Sequence, residues 1–436
     1  MFPIMVLYKL LVYLMLVISV PLWVLAWLFS EKRRASLLQR FGFRTGFSQP
    51  ESSPAKIIWV HALSVGEVIS VLPLVQALKK RFSDISITFT ASTRSGFETA
   101  REKLTCENSR LVDQLGYFPL DIGCSIRRVC NTLQPTAVIL VETDLWPNFL
   151  YEMKTADIPV ILVNARLSKR ALKGYGFFRP FFSWLFSLPE RILVQSALDR
   201  DRFVLLGVNP DRVVVTGNMK FDQPYPRMTQ MDIQNLKQQL SLDSKARIII
   251  AGSTHEGEEI LICKAYGNLK SEFPGLVLIV APRDPGRCKP LKSTLSREKY
   301  RVSAMSDLKH HAAASDIILV DTMGVLAKLY AICDAAFIGG SLVKSGGHNP
   351  LEPAVFSKPV CFGPDMSDFL EIADLLIAGN GSRQVASVKD LEQFFHRILA
   401  DEQLCRYMGQ QNFSVVSAHC GAVDQIIDQM EQVKIV

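Results

Sequence analysis

GGSLVKSGGHNPLEP, residues 339–353, is the stretch on which the reading of this chain turns. It continues an apolar run, AAFIGG (335–340), with the length and composition of a buried parallel strand closing on glycines. Gly346 and Gly347 lead into Asn349 and Pro350, which read as an N-cap and a proline at the first helical position. Strand, glycine loop and helix start in that order are expected to offer free backbone N–H groups and a positive dipole end to an anion such as a nucleotide phosphate. Glu352, in the first turn, either complements the dipole or accepts from a sugar hydroxyl. A capped surface helix without a ligand fits this stretch equally well, so its surroundings must decide.

Outward from that stretch the chain alternates strand-like and helix-like segments. Apolar runs at 246–251, 276–281, 316–320, 335–338 and 359–362 form one series. An earlier series lies at 56–60, 85–90, 137–141, 160–163 and 191–195. Between them, residues 217–227 carry Pro224 and Pro226 and read as a linker. Such alternation predicts two parallel sheets, each covered on both faces, with ligands at the carboxyl ends of the strands in a cleft between two Rossmann-like domains. Fold alone does not choose among the reactions this architecture serves.

The length of 436 residues suits two full cores and a small addition. That addition is LLVYLMLVISVPLWVLAWLF (10–29), which has no charge and is about 30 Å long as a helix, enough to cross a bilayer core. Trp23 and Trp27 lie toward its end, and Lys32, Arg33, Arg34, Arg40 and Arg44 follow it against the single acid Glu31. The positive-inside rule places that flank in the cytoplasm. A helix lying in the inner leaflet is a second reading; a cleaved signal peptide fits poorly, because no small-x-small site ends the run. The net charge of +7 is not gathered into a nucleic-acid arm. Nine cysteines without CxxC spacing argue for reduced thiols, and no histidine pair has metal-ligand spacing.

Several junctions carry groups that could do chemistry. WVHALSVGEV (59–68) puts Ser64, Gly66 and Glu67 where a strand gives way to a helix; Glu67 is either a cap and dipole partner or a general base, and His61 reads as structural. In ETDLWPN (142–148) Asp144 is placed to cap the following helix, which leaves Glu142 without a structural task. Lys220 of TGNMKFD (216–222) is either solvated or placed to stabilise a leaving phosphate. AGSTHEGEE (251–259), APRDPGR (281–287) and VDTMGVL (320–326) are further strand-to-helix turns, the second bringing two arginines to the sheet edge. NARLSKRALKGYGFFRPFFSWLF (164–186) interleaves basic and aromatic residues, as either an ordinary helix with a buried aromatic face or a surface for a phosphorylated lipid. With no GxxxxGK[ST] phosphate loop and no obvious DxD metal-binding pair, a metal-independent reaction is favoured.

HALSVGEV, ETDLWPN, NARLSKR, TGNMKFD, STHEGEE, APRDPGR, DTMGVL and GGSLVKSGGHNPLEP together resemble the 3-deoxy-D-manno-octulosonic acid (Kdo) transferase family of lipopolysaccharide synthesis, in the same order and over nearly the whole chain. The resemblance implies an α/β GT-B glycosyltransferase fold, two Rossmann-like domains facing a cleft, with an N-terminal membrane anchor helix. The corresponding segments are an anchor at 3–29, an acceptor domain at 45–216, a linker at 217–228, a CMP-Kdo-binding domain at 229–415 and a C-terminal helix at 416–436. It further implies inverting transfer of Kdo from CMP-Kdo to a lipid A precursor, lipid IVA, at the cytoplasmic face of the inner membrane. CMP-Kdo is the donor substrate, and no cofactor, metal or nucleic acid is expected. Carried residue by residue, the family's proton acceptor falls on Glu67 and its transition-state stabilising positions on Glu142 and Lys220. Its CMP contacts fall on Pro282 and Arg283, on Met323, Gly324 and Val325, and on Asn349, Pro350, Leu351 and Glu352. The family usually has glutamate where this chain has Val325, so a side-chain bond to the nucleotide is expected to be absent there. Two rivals stand beside this reading: a soluble-type nucleotide-sugar epimerase of the same fold, disfavoured by the anchor, and a membrane-tethered nucleotide-binding scaffold, disfavoured by Glu67, Glu142 and Lys220.

Overall fold

A computed structural model describes residues 2–29, 31–43, 46–48, 56–106, 110–243, 245–298, 300–308 and 315–436. The side chains of residues 22–35, and Arg44, lie outside the described residues, and with them Trp23, Trp27, Glu31, Lys32, Arg33 and Arg34. Two compact units emerge, one formed by Met1–Gln223 with His419–Val436, the other by Pro224–Ala418. The division after Gln223 falls inside the segment read as a linker.

The first unit holds seven parallel strands: β1 (Lys56–Ala62), β2 (Ile85–Ala91), β3 (Gln114–Tyr117), β4 (Ala137–Val141), β5 (Val160–Ala165), β6 (Arg191–Val194) and β7 (Val213–Val215). They lie in the order β3-β2-β1-β4-β5-β6-β7. Side chains alternate across this sheet as strand geometry requires. Ile58 and Val60 pack with Val68, Val71 and Leu74 of the helix Val65–Arg81, whereas Trp59 points the other way, onto Phe118 and Phe149. The second unit repeats the plan with β8 (Arg247–Thr254), β9 (Leu276–Pro282), β10 (Val302–Ala304), β11 (Ile317–Leu319), β12 (Ala335–Ile338), β13 (Val360–Phe362) and β14 (Ser382–Gln384), ordered β10-β11-β9-β8-β12-β13-β14.

In the first sheet the strand order reverses once, between β1 and β4; in the second it reverses between β8 and β12, and again at the margin, where β11 lies between β10 and β9. At such a switch point the two flanking connections leave toward opposite faces and open a crevice at the carboxyl edge. The turns that carry Glu67 and Glu142 follow β1 and β4. Those that carry STHEGEE and GGSLVKSGGHNPLEP follow β8 and β12. Each unit therefore brings two of the sequence motifs together at its own switch point.

Strands β3, β10 and β14 carry no apolar run and β7 is only three valines; each of the four is three or four residues long and lies at a sheet margin, where one side needs no burial. The C-terminal boundary set at 416 falls within the helix Glu402–His419. The helix after it, Ala422–Gln432, sends Val423, Ile426, Ile427 and Met430 into the core of the first unit at the spacing of one helical face. At the other end, Phe2–Phe29 is one helix, and its segment Ile4–Pro21, with mean hydropathy 2.2, is long and apolar enough to cross a membrane.

Candidate active site

In the first unit Glu67 lies in the first turn of the helix Val65–Arg81 and is 7% exposed. Its Oε2 accepts from the Leu63 N–H at 2.6 Å and its Oε1 from the Ser64 hydroxyl at 3.2 Å. Burial, then the charge of Asp144, raise the carboxyl to about 8; Glu142 adds to this, and the bonds from Leu63 and Ser64 only partly offset it. Glu67 thus ties down the chain that enters the helix rather than capping it, and has a raised proton affinity of the kind a base uses. His61 is structural: fully buried, it is 3.0 Å from the Thr90 carbonyl through Nδ1 and stacks on Phe118 at 3.7 Å. Burial lowers it to about 3, so it is neutral.

The turn after β4 differs from expectation. Asp144 does not cap the helix Pro147–Thr155, whose start has no side-chain cap from its own N-cap residue Trp146. Asp121 does that work, accepting from the N–H groups of Asn148 at 3.1 Å and Phe149 at 2.8 Å. Asp144 is left with Oδ2 buried and without a hydrogen-bond partner, and burial followed by the Glu142 charge raises it to about 7. Glu142 has φ +61°, a left-handed backbone disfavoured for glutamate, and its N–H donates to the Val163 carbonyl at 2.8 Å. Three acids, Glu67, Glu142 and Asp144, are therefore coupled at the switch point.

Lys220 sits in the 3-10 turn Met219–Asp222, which a buried amide relay fastens to the ends of β5 and β6. The Met219 N–H donates to Asn164 Oδ1 at 3.1 Å, Gln195 Nε2 to the Asn164 carbonyl at 2.8 Å, and Asn218 Nδ2 to Gln195 Oε1 at 3.0 Å. Asn218 Oδ1 in turn accepts the Lys220 N–H at 3.0 Å. The sequence pattern does not single out Asp121, Asn164 or Gln195. An asparagine at a strand end, here left-handed at φ +56°, is the one signal available for them.

The basic and aromatic stretch forms two helices, Lys169–Phe177 and Arg179–Phe186. The first buries no side chain; the second buries Leu185 and Phe186. Phe177, which ends the first helix, and Phe178, which joins the two, are 83% and 61% exposed. The buried-face reading holds in full for the second helix and in part for the first, whose Ala171, Leu172 and Tyr175 pack partly buried against the same core.

In the second unit the glycine loop corrects the opening expectation. The N–H groups of Gly340, Ser341 and Leu342 do not await an external anion, because Glu258, fully buried, takes them. Glu258 accepts from Gly340 at 2.7 Å, Ser341 at 3.0 Å and Leu342 at 2.9 Å, and from the His255 N–H at 2.8 Å. Asp365 receives the Gly346 N–H at 2.9 Å, and Gly347 donates to the Gly340 carbonyl. The helix that follows is only Leu351–Ala354, with Pro350 at the cap rather than in the first turn. Four residues align too few peptides to build a macrodipole of useful size. Asn349 does cap it, through Oδ1 to the Leu351 N–H at 3.0 Å, while its Nδ2 donates to the Tyr225 hydroxyl at 3.3 Å.

What this edge offers instead is side chains. His255 and His348 lie Nε2 to Nε2 at 2.9 Å, and burial, then Arg283, hold His348 down at about 4. Glu352 is raised to about 7 by burial, partly offset by Arg283. Pro282 ends β9 and Arg283 is exposed directly after it; its partner in APRDPGR, Arg287, is committed to Glu259 at 2.6 Å. Met323 is exposed, Gly324 has φ +80°, and Val325 packs partly buried against the second unit's core. Leu351 and Pro350 are buried. No group of three or more potential metal ligands occurs among the described residues.

A description of the 3-deoxy-D-manno-octulosonic-acid transferase (kdotransferase) family matches residues 35–223. The 3-deoxy-D-manno-octulosonic acid transferase of Haemophilus influenzae is 35% identical over 92% of this chain and 92% of its own length. That of Rickettsia typhi is 30% identical over 82% of this chain and 74% of its own. Among solved structures, UDP-GlcNAc 2-epimerase from Neisseria meningitidis aligns with a TM-score of 0.58 over 86% of this chain and all of that one, at 15% identity, a likeness of fold alone. With two parallel α/β units of the GT-B class and this degree of identity along its length, the chain belongs to the 3-deoxy-D-manno-octulosonic acid transferase family of glycosyltransferases.

Proposed function

We propose that the chain transfers Kdo from CMP-Kdo to a lipid A precursor, lipid IVA, with inversion, without a metal, and with Glu67 as the base. The observation that carries this reading is the Glu67 carboxyl, buried, oriented by Leu63 and Ser64, and raised to about 8. The acceptor oxygen bonds to the anomeric carbon while the bond to phosphate breaks and CMP leaves with the electron pair. The hydroxyl proton passes to Glu67. Lys220 offsets charge on the departing phosphate, and Glu142 favours an oxocarbenium-like sugar or orients Lys220. Pro282, Arg283, Met323, Gly324, Val325, Asn349, Pro350, Leu351 and Glu352 form the CMP side.

The same proposal places the protein at the inner membrane, catalytic units on the cytoplasmic side. Tyr8 donates to Asp121 at 2.8 Å, and Lys9 lies 3.9 Å from Glu152 and 4.4 Å above the Tyr151 ring. These contacts hold the first turns against the first unit, while Leu10, Leu14, Met15, Val17 and Ile18 beyond them are exposed and offer an apolar face to the membrane. Exposed Phe177 and Phe178 beside Lys169, Arg170 and Lys173 suit the phosphorylated lipid.

The test incubates the purified chain with CMP-Kdo and a tetraacylated lipid A precursor. Glu67→Gln should retain CMP binding and lose transfer by about 10²–10⁴-fold. An unmodified precursor with intact CMP-Kdo in the wild type would overturn the assignment; near-normal turnover by the variant would remove Glu67 as base.

A further inference from the structure

One group in the first unit has a position but no structural task. Asp144 is two residues beyond Glu142 in the turn after β4, its Oδ2 is buried, and no donor reaches that oxygen. Buried polar atoms are nearly always paired, so an orphaned carboxylate oxygen calls for a reason. Looseness is not the reason, because the turn is fastened on both sides of Glu142. The Glu142 N–H donates to Val163, the Thr143 hydroxyl donates to the Arg166 carbonyl at 2.5 Å, and the same hydroxyl accepts the Arg166 N–H at 2.9 Å. Capping is not the reason either, since Asp121 holds the helix start.

The topology supplies the neighbour. β1 and β4 pair in parallel with His61 opposite Leu140, so the turn after β4 stands beside the turn that carries Glu67. Each packed element brings its own groups to Asp144. Glu67 comes from the helix after β1, Glu142 from the same turn and Tyr175 from the helix Lys169–Phe177. Trp146 adds an indole whose Nε1 is also buried without a partner, and neutral His61 lies edge-on to it at 6.5 Å.

We infer that Asp144 is a positioning residue for the transfer reaction, its orphaned carboxylate strengthening Glu67 as the group that receives the acceptor's proton. The inference rests on Glu67 being the base. When the acceptor oxygen bonds to the sugar and its proton moves to Glu67, one negative charge leaves a site that already holds two other acids. Relief of that repulsion favours the proton-transferred state, and no further reactant is required.

The test is the pH dependence of kcat/KM from about pH 5 to about pH 10 for the full chain, wild type against Asp144→Asn, Asp144→Glu and Glu67→Gln, with CMP binding measured for each. In wild type the acidic limb should fall near the Glu67 value of about 8. Asp144→Asn should move that limb down by about one pH unit and lower the plateau, while Asp144→Glu restores the wild-type limb. A uniform loss in Asp144→Asn with the limb unmoved, or a wild-type profile, overturns the inference while leaving Glu67 in place. Normal turnover in Glu67→Gln sinks the base assignment itself, a separate outcome.

Discussion

Glu67 and Glu258 occupy the same kind of place, each in the first turn of a helix that follows the central strand of a parallel sheet, at that sheet's switch point. Both are buried, yet their surroundings are opposite. Four backbone N–H groups converge on Glu258. Glu67 receives one N–H and one hydroxyl, and its charged neighbours are acids. A carboxylate surrounded by donors is a structural anion, here fixing the loop that opens GGSLVKSGGHNPLEP. One that is short of donors and next to like charge binds a proton more tightly than a free carboxylate, the property the proposed base requires. The contrast separates a scaffold carboxylate from the proposed base more sharply than motif or burial does.

Glu258→Ala should break that contrast most visibly in stability. It orphans four N–H groups at about 1–3 kcal/mol each, so a loss of at least about 4 kcal/mol is expected, read as a drop in the unfolding midpoint. Glu67→Gln should instead leave the midpoint nearly unchanged below pH 4.5. The sign follows from the raised carboxyl of Glu67. The folded state holds that proton more tightly than the unfolded one, so its contribution is full below the ordinary 4.5 and is lost as pH rises through about 8. Glu67→Gln, which cannot ionise, should flatten the decline in stability across that window. An unaltered decline would mean that Glu67 is ionised without cost in the folded protein.

A smaller effect sharpens the comparison within the first unit, between Asp121 and Asp144. Removing the cap with Asp121→Ala should cost about 1–2 kcal/mol, because two helix-start N–H groups lose their acceptor. Asp144→Asn should cost little or be stabilising, since it removes a buried charge rather than a bond. Thermal unfolding of both variants checks this; equal losses would return Asp144 to the capping role.

The central strands were legible because they are continuous apolar runs: β4 is AVILV and wholly buried. Their order was not, and the switch points that bring β1 beside β4 and β8 beside β12 are a property of topology. The motif positions were legible too, but the identity of the working acid was not always so. Glu258 satisfies donors 82 to 84 residues away in the chain, and Asp121 caps a helix 27 residues later, distances over which no local pattern operates. The proximity of Asp144 to Trp146 and Pro147 suggested a cap on local grounds, and a more distant carboxylate took that place. A sequence shows which side chains reach a sheet edge, whereas the count of donors each one finds there is set by tertiary packing.

The smallest expected effect concerns Val325, where the family usually carries glutamate. Val325 caps the short helix Leu326–Leu329 through its carbonyl, which accepts from the Lys328 and Leu329 N–H groups, so its backbone role does not depend on the side chain. The valine side chain packs partly buried against the second unit's core. Val325→Glu would gain one acceptor for a nucleotide hydroxyl, with a net worth of about 0.5–1.5 kcal/mol, and would lose some apolar contact. CMP binding measured by calorimetry should therefore tighten by about tenfold at most. A clear weakening would show that valine packing, rather than a missing hydrogen bond, governs the loop, and that this part of the proposed donor side is built around an apolar contact.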